Sequence, residues 1–133
     1  MLPYLTEEVD ECPRESFFYI SDDGDILAIR HKDWKVTLME QRGKTLGLWF
    51  EPFVKLRGPR LFNLRQDPFE RAVDQSNTYW DWYIDRAFAI YKMQDLVAQQ
   101  IEIFKKYPPR QKPASFNLDA VLEQLQDSNA GST

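Results

Sequence analysis

The chain is poor in the residues that most often announce chemistry. It holds one cysteine, Cys12, and one histidine, His31, among 133 residues. A single cysteine excludes an internal disulfide framework. The histidine falls at a turn between two expected strands, where it reads as structural rather than catalytic. No run of about 18 apolar residues occurs, so no membrane-spanning helix is expected. Residues 1–20 lack an apolar core and carry Glu7, Glu8, Asp10, Glu11, Arg14 and Glu15, unlike a signal peptide. As given, the chain is therefore expected to be soluble and cytoplasmic, without membrane contact. Positive charge is also in deficit: 17 Lys and Arg face 21 Asp and Glu, a net charge of −4. Phosphate binding wants clustered basic residues, so nucleic acid is a poor partner for such a chain.

What is present suits one small core. Apolar residues make up 43% of the chain and include four tryptophans. A chain this long buries about two-thirds of its unfolded surface, and the expectation is a single domain over 1–133. Residues 1–15 read as an irregular acidic lead-in, and 16–65 as a small antiparallel sheet of about four strands. Ser16–Ile20, Ile26–His31 and Trp34–Gln41 are its first three strands, with Gly24 free to take positive φ in the first turn. Along the third, Trp34, Val36 and Leu38 face one way, and Lys35, Thr37 and Met39 the other. Leu46–Phe50 and the Phe53–Leu64 region follow, the latter interrupted at Gly58-Pro59.

The period then changes. Between Thr78, an expected N-cap, and Lys106 there is no Gly or Pro, and apolar residues recur every three or four positions. Tyr83, Ala87, Ile90, Val97, Ile101 and Phe104 form one row, and Trp80, Ile84, Phe88 and Tyr91 its neighbour. Together they predict one long helix over 78–106, laid across a face of the sheet. Pro108-Pro109 stops it. A shorter helix is expected over 115–126 and a frayed tail over 127–133. The fold class is thus α+β: a sheet covered by a long C-terminal helix, with a short helix after it.

One segment says more than its periodicity. Leu61-Phe62-Asn63-Leu64-Arg65-Gln66-Asp67-Pro68-Phe69-Glu70 runs from a strand into a turn where Asp67 suits an N-cap, Pro68 the first helical position and Glu70 the third. The string L-F-N-L-x-x-D-P-F-E resembles the closing segment of the sulfatase family, most closely of bacterial arylsulfatase-like members. Leu2-Pro3-Tyr4-Leu5-Thr6 resembles the point where the family chain leaves its catalytic domain. Ala28-Ile29-Arg30, followed by Trp34-Lys35, resembles the hairpin of its small C-terminal domain. The resemblance covers essentially the whole chain.

It implies a noncatalytic C-terminal domain of a sulfuric ester hydrolase, without the catalytic domain that precedes it in complete members. Those enzymes use a formylglycine, made from Cys or Ser in a Cys/Ser-x-Pro-x-Arg motif, and a divalent cation, usually calcium. In this chain Pro13 and Arg14 follow Cys12 directly, so Cys12 is off the motif's spacing. No family catalytic residue or metal ligand maps onto a position here, and no cofactor is expected in this chain. The implied partner is a sulfatase catalytic domain, or else a second copy of the chain. If the domain belongs to an exported sulfatase, the compartment is periplasmic or extracytoplasmic. A stand-alone interaction or assembly module is the other reading.

Candidate contacts follow. Leu46, Leu48, Trp49, Phe50, Phe53 and Val54 are dense in apolar content and are the expected interface with the missing domain. Arg57 and Arg60, with Arg65 beyond them, are candidate anion contacts at a cleft rim, although alternating arginines on a strand are more often solvated. Trp80 is expected to pack under the helix. Trp82 and Asp81 fall off the apolar stripe, which makes Trp82 a candidate rim contact. Asp22, Asp23 and Asp25 lack calcium-loop spacing and read as turn residues.

Overall fold

A computed structural model describes residues 2–7, 9–108 and 110, together with Leu118, Leu122 and Leu125. The expected helix over 115–126 otherwise lies outside the described residues. Its Leu118, Leu122 and Leu125 are helical and exposed. The protein is α+β. A short helix α1 (Leu2–Leu5) leads to β1 (Ser16–Ile20), β2 (Ile26–His31) and β3 (Trp34–Gln41). A 3-10 turn at Thr45–Trp49 precedes β4 (Phe53–Asn63), which is followed by α2 (Ala72–Gln75), α3 (Tyr79–Asp85) and α4 (Phe88–Lys106).

The four strands form one antiparallel sheet in chain order, β1-β2-β3-β4. Tight turns explain this order, because a hairpin pairs each strand with the next. Gly24, at φ +89°, makes the first turn, and Ser21 Oγ accepts the Asp25 N–H within it. Alternation places Ile29, Val36 and Leu61 on one face, where they meet Ala89, Ile90 and Met93 of α4. Phe18, Trp34 and Leu38 pack around that cluster, as the strand alternation predicts.

Leu46–Phe50 lies in the 3-10 turn and at its C-cap, and the chain enters that turn at Thr45 with a positive φ of 54°. Two local expectations are corrected. Gly58-Pro59 does not end β4. The strand runs through it, and the irregularity appears as a register shift, with Arg60 opposite Thr37 but Lys55 opposite Met39. Nor does a helix start at Pro68. Asp67 is not the N-cap of α2: its carboxylate reaches on to the N–H groups of Arg71 and Ala72, and the helix opens at Ala72 with Arg71 at the N-cap position. Glu70 takes φ 56° and turns back to pair with Lys35 across the sheet.

The long helix is also divided. It breaks between α3 and α4 at Arg86, whose N–H bonds to the Tyr83 and Ile84 carbonyls. Thr78 precedes α3 without a side-chain capping bond. In α4, Ala89, Ile90 and Met93 face the sheet. The second expected row turns to solvent, with Trp80 58%, Ile84 70%, Phe88 66% and Tyr91 69% exposed.

Candidate docking surface

The loop joining β3 to β4 is built to hold apolar side chains outward. Gln41, the last residue of β3, binds it from inside. Its Nε2 donates to the Leu48 carbonyl at 3.3 Å and the Glu51 carbonyl at 2.7 Å, while its Oε1 accepts the Gly43 N–H at 2.8 Å. Gly43 and Gly47 lie so close that a Cβ on Gly43 would stand 2.8 Å from the Gly47 carbonyl carbon and oxygen. Only glycine fits there. The large residues of the loop are turned outward. Leu46 is 75% exposed, Trp49 82% and Phe50 86%. Leu48 and Phe53 are exposed beside them, and Val54 is half-buried. The candidate interface residues are therefore brought together on one ordered loop and the start of β4.

The arginines separate. Arg57 is exposed on β4, two steps beyond Lys55 and four beyond Phe53. Arg60 is turned to an internal partner: its Nη1 lies 2.8 Å from Glu40, which also holds Arg42 at 2.9 Å. That pairing takes Arg60 out of the anion-site reading. Arg65 lies 3.7 Å from Asp33.

The tryptophans exchange roles relative to the helical-stripe expectation. Trp82 stacks on Trp34 at 5.9 Å and 26°, with the Arg86 guanidinium over its ring at 5.1 Å. Trp80 is the exposed one, edge-on to Tyr79 and Tyr83.

Polar candidates are absorbed into the fold. His31 Nδ1 lies 2.9 Å from Ser16 Oγ across the β1–β2 pair. Among the described residues no three His, Cys, Asp or Glu side chains are grouped to hold a metal ion. A cleft of about 200 Å³ lies between the end of β4 and α3, lined by Asn63, Asp67, Thr78, Tyr79 and Trp82 among others. Two of its polar side chains serve the backbone: Asn63 Oδ1 accepts the Arg65 and Gln66 N–H groups, and the Asp67 carboxylate accepts those of Arg71 and Ala72. Cys12 borders a more open depression of about 420 Å³ with Arg14, Glu15 and Lys32. No described helix is long and apolar enough to cross a membrane.

Gln41 and Gly43 carry no distinctive sequence signal of their own. The Gly43–Gly47 spacing is the one trace of their close approach. Comparison with protein-family models, curated proteins and solved structures finds no match to this chain.

Proposed function

We propose that the chain is a noncatalytic domain of the sulfatase type, which docks on and supports a catalytic domain through its 45–54 loop. One observation carries this reading: Leu46, Trp49 and Phe50 are held 75–86% exposed on a loop tied to the end of β3 by three hydrogen bonds of the Gln41 amide. Exposed apolar groups on an ordered support mark interaction sites, and aromatic residues dominate binding at such sites. The resemblance of the 61–70 string to the end of an arylsulfatase-like chain supplies the partner class. Arg57, on the adjoining stretch of β4, would then lie at the edge of that interface.

The family's own chemistry does not fit these residues. Pro13 and Arg14 stand directly after Cys12, with Glu15 and Lys32 around the same depression, which is not the neighbourhood of a formylglycine. The Asp22–Asp25 carboxylates belong to a hairpin turn, a poor calcium cradle. No step of ester cleavage is therefore assigned to them, and formylglycine and calcium would belong to the partner. The chain would act in the partner's compartment: cytoplasmic, or extracytoplasmic if the sulfatase is exported.

The test is titration of the chain with an arylsulfatase-type catalytic domain stripped of its own C-terminal domain, following tryptophan emission. Saturable binding is expected, weakened at least about tenfold in Trp49→Ser/Phe50→Ser, because burying either ring is worth about 1.5–3 kcal/mol. No binding, or binding indifferent to that double substitution, overturns the proposal. A second reading, a stand-alone interaction module, is favoured by the exposed row Trp80, Ile84, Phe88 and Tyr91, which lies on elements other than the loop.

A further inference from the structure

The two edges of the sheet are finished differently. At β4, Tyr79 reaches the outer side of the strand: its hydroxyl accepts the Leu61 N–H at 3.0 Å and donates to the Leu61 carbonyl at 2.8 Å. The Tyr83 hydroxyl donates to the Pro59 carbonyl at 2.8 Å, and Pro59 has no N–H to offer. Two tyrosines and a proline thus close the Pro59–Leu61 stretch of that edge.

At β1 nothing comparable occurs. The Lys32 N–H bonds to the Glu15 carbonyl and the Ser21 N–H to the Asp25 carbonyl. With the register Ser16↔His31 and Phe18↔Ile29, this turns the backbone groups of Glu15, Phe17 and Tyr19 towards β2. Those of Ser16, Phe18 and Ile20 point away from the sheet. Among the described residues no hydrogen bond reaches them.

We infer that β1 is a self-association edge, pairing antiparallel with β1 of a second copy about a two-fold axis through Phe18. The sequence of the edge argues for this occupant. The axis sets Ser16 opposite Ile20 and Phe17 opposite Tyr19, and brings Arg14, just before the strand, towards Asp22 in the turn that follows it in the other copy. Phe17 is 47% exposed and already lies edge-on to Tyr19 at 5.0 Å, on the face away from α4. The dimer therefore builds an aromatic cluster from both copies on that face. Arg14 and Asp22 are both exposed and carry opposite charge, so each end of the joined edge gains an ion pair. Sliding the register by two residues sets Arg14 opposite Gly24 or Ile20 and removes both pairs. Charge thus selects one register, and the two-fold makes the contact close on itself.

This surface is distinct from the 45–54 loop, so the two proposals can fail separately. The test is analytical ultracentrifugation of the full chain across a dilution series, with five variants. Wild type is expected to sediment at twice the 15.8 kDa chain mass at high concentration. Arg14→Asp and Asp22→Arg should each weaken the dimer about tenfold, and their combination should restore it. Ile20→Pro should give a monomer with unchanged circular dichroism, since it removes only an outward N–H. Trp49→Ser/Phe50→Ser should leave the dimer intact. A monomer at high micromolar concentration overturns the inference. So does a dimer indifferent to charge reversal, an unrestored double variant, or a dimer lost with the loop aromatics.

Discussion

Thr37 Oγ1 is buried and has no hydrogen-bond partner among the described residues, on a strand whose neighbours are otherwise well satisfied. An unmatched buried hydroxyl costs about 1–3 kcal/mol. Thr37→Val removes the group and keeps the shape, so unfolding in urea should shift to higher denaturant by the equivalent of about 1 kcal/mol, with an unchanged slope. A loss of stability would mean the hydroxyl is satisfied in solution. Legibility at this scale was uneven. The apolar density of Leu46–Phe50 was enough to mark an interface candidate, and the structure does leave those residues exposed. Arg60 could not be read, because its partner Glu40 is set by the register shift between β3 and β4 rather than by local sequence. Trp80 and Trp82 exchanged places for a related reason. Neighbours on a helix point about 100° apart, and which one packs inward depends on a break the sequence does not announce.

Between elements, the attachment of α3 to β4 rests on Tyr79, one of the most deeply buried side chains. Burial raises its pKa above the ordinary 10.0, partly countered by its bond to Leu61, and burial raises Tyr83 as well. Both are thus harder to ionise folded than unfolded. Their contribution to stability is complete below the unfolded value of about 10 and is lost as pH rises through the folded values. Alkaline titration followed by circular dichroism should show unfolding above that pH. Tyr79→Phe should cost about 1–3 kcal/mol at neutral pH, because the Leu61 N–H loses its acceptor, and should flatten the alkaline decline. An equally steep decline in that variant would place the sensitivity elsewhere. The strand limits of β1 to β3 were readable from alternation and turn residues, since hairpin signals are local. The role of Tyr79 as an edge seal was not, because it joins residues 18 apart in sequence through a side-chain hydroxyl.

Over the whole molecule, the α+β class followed from the change of period near residue 78, and the sheet-plus-helix arrangement is as expected. The sheet's order equals the chain's order, and that has a kinetic consequence. Each strand finds its partner across the connection that joins them, so the entropy of closing each pairing is small. The sheet is a run of local zippers, and the helices must travel back, α3 onto β4 and α4 over β2 and β3. Hairpins are then expected to form ahead of helix docking. Ile90→Val, worth about 1 kcal/mol at the α4–sheet contact, should speed unfolding while leaving refolding nearly unchanged. If refolding slows by the full amount instead, the helix has docked before the barrier. In the expected order, the last part of this chain to become native is the part that hides its core, and until then Ile29, Val36 and Leu61 stand open to whatever else is in solution.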